Sequence, residues 1–380
     1  MNTVVVTHER ELARYRGQWH DLVGAAAQPN PFYEPWMLLP AMRHLRAGHE
    51  TLSVVLVFEG DADRRLLGLF PLARERVYRR LPLRCLSCWE YLHCFSTTPL
   101  VRRGHEPRCL SALFAWLDDA SPGARLLRFP VFTGDGPLYK ALMECARRDG
   151  RIVDTVDVQR RALLEAGRAG EDYLRTFVSR RHLKEFRRLW KRLGEQGELR
   201  FEAFRPGVDD LDDWTSAFLR LEQAGWKGRN GTAMACSVAE SAYFNDMMRQ
   251  AGAADRLLLA RLTLDGEPLA MHCGFRTGAG GVAFKIAFDE AWSRFSPGLL
   301  LELRHTEHLL DHTDIEWVDS CASPDHPMIE RLWKQKQVVC DFGISSRRPL
   351  AKLLARAVGL LGVLYRMARG GNRNATLPGY

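Results

Sequence analysis

The sequence predicts an α/β protein of two tandem lobes, each a mixed sheet flanked by helices, followed by a C-terminal amphipathic helix. Two observations carry this expectation. With 380 residues and 46% hydrophobic content, the chain can fill more than one core. A single layout also occurs twice along it. TLSVVLVF, EGDADRR and LLGLFPLAR (51–74) read as strand, turn and strand. RLLLARLTL, Asp265-Gly266 and EPLAMHCGFR (256–276) repeat the pattern. Asp-Gly tolerates positive φ at both central positions, so it is a strong hairpin signal.

Helical segments precede each hairpin. ERELARYRGQWHDLV and PWMLLPAMRHL lie before the first, DDWTSAFLRLEQAG and VAESAYFNDMMRQAG before the second. A strand-then-helix run follows each: ARLLRFPVFTGDGPLYKALMECARRDG, then IEWVDSCASPDHPMIERLWKQ. Helix, hairpin, strand and helix in the same order suggest a duplicated lobe. The expected domains are 1–155, 156–345 and 346–380, the last being a basic amphipathic helix and polar tail.

The second half carries the chemistry-bearing stretch GGVAFKIAFDEAWSRFSPGLLLE (280–302). Strict alternation puts Val282, Phe284, Ile286 and Phe288 on one strand face, with Ala283, Lys285, Ala287 and Asp289 on the other. A helix over 297–311 follows, with Ser296 as N-cap, Pro297 at the first helical position and Gly298 baring the backbone. The next strand, IEWVDS (315–320), should lie parallel to 282–289, with the helix N-terminus at their carboxyl ends. Such a mouth offers unpaired N–H groups and partial positive charge to a phosphate.

Composition narrows the partners. Lys and Arg total 54 against 46 Asp and Glu, a formal charge of +8, which favours a phosphate-bearing ligand or an anionic surface. Nine scattered cysteines form no disulfide framework and fit a reducing cytoplasm. Neither a signal peptide nor an 18-residue apolar run is visible, so the expected location is cytoplasmic, with a peripheral position at the inner membrane face as the option the C-terminal helix leaves open. Cys85-x-x-Cys88 lacks the second half of a zinc site and reads as two packed thiols; no metal is expected.

Three phrases carry a family resemblance: LEQAGWKGRNGTAM (221–234), FKIAFDEAWSRFSPGLLLE (284–302) and WVDSCASPDHPMIERLW (317–333). They resemble the GNAT acyltransferase superfamily in its CelD-like bacterial branch, whose tandem lobes are related to the FemAB aminoacyltransferases. The resemblance implies transfer of an acyl group, usually acetyl, from acyl-coenzyme A to an amine of a sugar, amino acid or peptide. An exopolysaccharide or envelope precursor is one acceptor that this class admits. The usual phosphate signature, Arg/Gln-x-x-Gly-x-Gly/Ala, stands here as Arg294-Phe-Ser-Pro-Gly-Leu, with the basic residue and one glycine differently spaced. Lys285, Arg294, Ser296, Pro297 and Gly298 are therefore the expected donor-binding residues.

Transfer to an amine needs that amine neutral, its proton removed and the developing oxyanion held by donors. Glu222, Asp289 and Asp319 are the candidate bases, and Lys227, between Gly225 and Gly228, is a candidate oxyanion or acceptor ligand. His272 and Cys273 are adjacent on a strand, hence on opposite faces, and make a poor dyad. His326 lies on a proline-flanked loop after Asp319 and could close over the acceptor.

Two basic helices remain. SRRHLKEFRRLWKRL (179–193) has seven Lys/Arg and one Glu outside an apolar stripe, a face suited to an acidic carrier, a phosphorylated sugar or tRNA. No RNA-binding signature accompanies it, so no specific nucleic acid is expected. RRPLAKLLARAVGLLGVLYRMARGGNRN (347–374) either packs on the protein or lies on an anionic membrane. The alternatives are tRNA-dependent aminoacyl transfer of FemAB type, without the helical arm of those enzymes, and a non-catalytic binding or scaffold module.

Overall fold

A computed structural model describes residues 1–46, 52–60, 65–75, 78, 81, 83, 85–119 and 126–368, with side chains as far as 361. The EGDADRR turn and the polar tail fall largely or wholly outside the described residues. The chain divides into two compact units, Met1–Gln159 with Val338–Tyr380, and Arg160–Gln337.

The first unit holds β1 (Asn2–Val6), β2 (Ser53–Glu59), β3 (Arg65–Glu75), β4 (Cys85–Cys88), β5 (Leu100–Val101) and β6 (Leu126–Thr133). Its helices are α1 (Glu9–Leu12), α2 (Arg16–Ala25), α3 (Pro35–His44), α4 (Glu106–Asp119) and α5 (Pro137–Arg148). The order β1-β2-β3-β4-β6 is antiparallel except for the parallel pair β4–β6, between which α4 crosses over. Strand β7 (Val153–Glu165) contains the division between the units. The core beneath α4 and α5 includes Phe70, Leu113, Phe129, Phe132 and Phe342. Cys85 and Cys88 are both buried free thiols, and their odd spacing puts them on opposite faces of β4, in separate clusters. Burial pushes the Cys85 thiol up to about 12.

The second unit repeats the order. It contains α6 (Gly170–Phe177), α7 (Arg180–Gly194), β8 (Leu199–Ala203), α8 (Leu211–Ala224), α9 (Trp226–Arg229) and α10 (Val238–Ala253). The hairpin β9 (Leu257–Leu264) and β10 (Glu267–Thr277) turns at Asp265-Gly266, whose φ values of 50° and 87° are those the turn requires. Then come β11 (Gly280–Phe288), α11 (Pro297–His312) and β12 (Trp317–Asp319). The order β8-β9-β10-β11-β12 matches that of the first unit, and β11–β12 is again the parallel pair. Duplication is thus visible at the level of topology.

Two features depart from expectation. The run PMIERLWKQ makes one 3-10 turn, Ile329–Arg331, where a helix was predicted; Pro324 and Pro327 leave little length to nucleate one. The strands beside β6 and beside β12 also come from distant parts of the chain. Residues 163–165 of β7 pair with β12, and residues 339–345 of β13 (Gln335–Ser345) pair with β6.

Helix α12 (Pro349–Ala368) packs on the first unit through Ala351, Ala355 and Val358. Leu350, Leu353, Leu360 and Leu361 remain exposed, so the small residues form the docked face and not the leucine stripe. Among the described residues no helix is long and apolar enough to cross a membrane.

Candidate active site

The site is built where β11 outruns its parallel neighbour. The β11–β12 ladder holds only Gly280–Trp317, Gly281–Val318 and Val282–Asp319, while β11 continues to Phe288. Beyond Val282 its β12-side edge therefore has no β12 partner. Backbone N–H and C=O groups on such an edge can pair with an extended ligand.

A β-bulge decides what faces that edge. Cys273 pairs with Lys285 and Gly274 with Ala283, so Phe284 is the extra residue. The strict alternation expected from sequence fails there. Phe284 touches Phe275 and Lys285 pairs with Cys273 on the α8 face, whereas Ile286 and Phe288 turn towards α11. A single inserted residue therefore puts Phe284 and Val282 on the same face as Lys285, opposite the α11 mouth.

On the α8 face the structure gathers three of the predicted residues. Glu222 in α8 has a side chain 0% exposed, and Lys285 and Lys227 are 11% and 24% exposed. Lys227 Nζ donates to Glu222 Oε1 at 3.1 Å, and Lys285 Nζ lies 3.6 Å from the same oxygen. The Met234 N–H donates to Glu222 Oε2 at 2.9 Å. Lys227 Nζ also reaches the Ile286 carbonyl at 3.4 Å. The GWKG loop folds as the short helix α9 because Gly228 sits where any Cβ would collide with the Gln223 carbonyl.

This packing fixes the electrostatics. Burial pushes the Glu222 carboxyl up, but Lys285, Lys227 and the Met234 N–H outweigh it and hold the group below its ordinary value. Burial lowers Lys285, Glu222 opposes that shift and Lys227 adds to it; the ammonium ends below its ordinary value.

Asp319 and Asp289 are engaged elsewhere. Asp319 Oδ2 accepts from Arg161 Nη2 at 2.5 Å and Oδ1 accepts from the Cys321 N–H, a buried pair. Asp289 caps the 3-10 turn Glu290–Phe295 by accepting from the Ala291 N–H at 2.9 Å. At the helix mouth, Ser296 is left-handed (φ 52°) and makes no side-chain cap hydrogen bond among the described residues. Pro297 has no N–H, the Leu300 N–H bonds the Ser296 carbonyl, and the Gly298 and Leu299 N–H groups meet no protein acceptor among the described residues. Gly298 is buried; a Cβ there would sit 3.3 Å from Phe288, so its smallness serves packing as well as access. Arg294 is exposed, stacked on Phe295 at 4.7 Å. His326 is half-buried, lowered by that burial, on the loop after β12.

Sequence reasoning missed one cluster. On the α11 face, His272 Nδ1 and Glu302 Oε1 lie 2.6 Å apart, and the His305 ring centres 4.4 Å from that of His272. All three are buried, and burial together with His272 pushes His305 well below its ordinary value. The available signal was the spacing Glu302, His305, Thr306 on one helical face. Trp333 Nε1 closes the cluster by donating to Thr306 Oγ1.

The decisive comparison follows from this geometry. Residues 180–335 match the family described as acetyltransferase (GNAT) domain. That stretch makes up most of the second unit and is similar to this transferase family, and the open edge of β11 lies within it. The crystal structure of FemX is similar over 93% of this chain and 100% of that one, with a TM-score of 0.59 at 11% identity. A conserved protein of unknown function from Bacteroides thetaiotaomicron gives 0.51 at 10% identity, over 88% and 97%. A tandem GNAT protein from the clavulanic acid biosynthesis pathway gives 0.45 at 16%, over 92% and 99%. At these identities the first two likenesses establish the fold, and they extend across both units. Among curated proteins none matches the chain.

Proposed function

We propose that the protein is an acyl-coenzyme A-dependent N-acyltransferase, with acetyl as the simplest acyl group and an amine of a sugar, amino acid or peptide as acceptor. The carrying observation is the open edge of β11 backed by Lys285, Glu222 and Lys227. The donor's thioester arm would lie along that edge as an added strand. A donor phosphate would meet the Gly298 and Leu299 N–H groups and Arg294.

In the reaction the amine nitrogen attacks the thioester carbonyl. A C–N bond forms, the C–S bond breaks and the thiol leaves with a proton. We assign Lys285 to take the amine's proton, since its lowered ammonium value brings the free amine within reach at lower pH. Glu222 positions Lys285, and Lys227 holds Glu222 while presenting positive charge towards the acceptor. Asp319, tied to Arg161, is assigned to holding the end of β12. Action at the cytoplasmic face of the inner membrane, on an envelope or exopolysaccharide precursor, is supported by the exposed leucines of α12 alongside Arg356.

Ser296→Asp tests the donor site without threatening the fold. Asp tolerates the left-handed region and is a good N-cap, so helix stability should hold or rise. Its carboxylate would nevertheless repel a phosphate at the mouth. Calorimetric titration should show acetyl-coenzyme A bound by the parent and weakened about tenfold or more in the variant. Equal affinity for both proteins would refute the assignment of the phosphate seat.

A further inference from the structure

The cationic face of α7 makes no ion pair among the described residues. Arg180, Arg181, Lys184, Arg187, Arg188, Lys191 and Arg192 are all exposed, and among the described residues none pairs with a carboxylate. Laid out at about 3.6 residues per turn, they fall within an arc of roughly 140°. Phe186, Leu189 and Leu193 occupy the opposite, buried side. Seven like charges on one helix repel one another, and Glu185 is the helix's only acid.

This face ends at the mouth of α11. Arg192 lies over the Phe295 ring at 6.0 Å and Arg294 lies over the same ring at 4.7 Å; Phe295 directly precedes Ser296. Further along, Trp190 is covered by Arg304 of α11 at 4.4 Å. One cation-lined track thus runs along α7 to the phosphate seat proposed above.

Size and donor count identify what fits. From Arg180 to Arg192 the track spans about 18 Å at a rise of roughly 1.5 Å per residue. Coenzyme A carries its phosphates at one nucleotide end and would use only the cations near Phe295. The mouth itself offers two N–H groups, because Pro297 lacks one and Leu300 is already bonded. Two N–H groups are enough to meet a single phosphodiester. A single phosphodiester next to an extended acidic surface describes a phosphopantetheine arm mounted on an acidic protein. The track lacks a platform for nucleic-acid bases, since Phe186 is buried and Trp190 lies beneath Arg304.

We propose that α7 docks an acidic acyl carrier protein, which presents its acyl-phosphopantetheine thioester to the open edge of β11. This rests on the thioester-donor reading and names the form in which the donor arrives. The chemistry is unchanged: the acceptor amine forms the C–N bond, the C–S bond breaks, and the thiol stays on the carrier's arm with the proton.

The test uses the full chain and a fluorescently labelled acidic acyl carrier protein bearing a non-hydrolysable acyl-phosphopantetheine amide. The charge-reversed variant is Lys184→Glu/Arg187→Glu/Arg188→Glu, and Arg187→Ala/Arg188→Ala is a milder companion should the first fold poorly. Anisotropy should show binding that weakens with salt and falls about tenfold or more on reversal, with coenzyme A affinity unchanged within about twofold. Carrier binding equal in parent and both variants would overturn the proposal, as would a carrier that binds no better than a serum albumin control. Transfer RNA that displaces the carrier and itself loses affinity on reversal would also overturn it, in favour of RNA. Coenzyme A binding insensitive to Ser296→Asp would instead strike the donor reading, independently of the carrier result.

Discussion

Glu222→Ala should lower folding stability by about 3–5 kcal/mol, because it removes the carboxylate that both largely buried ammonium groups share. It also strands the Met234 N–H, which donates to Glu222 Oε2 at 2.9 Å. Glu222→Gln keeps an acceptor for that N–H and should lose less. Denaturant titration of the three proteins at neutral pH measures both effects. The pH dependence follows in sign. The Glu222 carboxyl is held below its ordinary value, so its contribution is complete above the ordinary carboxylate range and vanishes as pH falls through the lowered one. Lys285 is also lowered, so the unfolded chain binds the extra proton between its lowered and ordinary values, and stability rises with pH across that window. The parent should therefore weaken in acid more than Glu222→Gln does.

Lys285→Met should behave in the opposite way, folding well and working badly. Methionine removes a buried ammonium and its repulsion from Lys227, leaving the Glu222–Lys227 pair at 3.1 Å intact. Stability should fall less than in Glu222→Ala, because Lys227 and the Met234 N–H still partner the Glu222 carboxylate. Turnover should fall by about 10²–10⁴, the range for loss of a positioned proton acceptor. The parent's rate should rise with pH through the lowered lysine value, and that rise should disappear in the variant. A purely structural Lys285 would leave the shape of the pH profile unchanged.

How much of this was legible in the sequence depends on whether the partner lay close by. Asp265-Gly266 announced its hairpin because turn geometry is local, and Ser296-Pro297 announced the start of α11 for the same reason. The duplicated order was legible because each lobe repeats the same elements. Glu222, Lys227 and Lys285 were each named from residue type and position, but their convergence on one carboxylate oxygen could not be read. The bulge at Phe284 was invisible, since a bulge is defined only against the partner strand, and it put Phe284 and Val282 on the same face as Lys285. Arg161 lies 158 residues from Asp319, so their pairing gave no local signal. The same holds for His272 and Glu302, where a strand histidine meets a helix glutamate 30 residues on.

The most direct measurement is acceptor-dependent thiol release from acetyl-coenzyme A, with amide product detected by mass spectrometry across a panel of amino sugars, amino acids and short peptides. The account predicts release that requires an amine, yields one amide per thiol, and collapses in Lys285→Met. Unchanged release in that variant, or amide formation only from charged tRNA and never from a thioester, would contradict it.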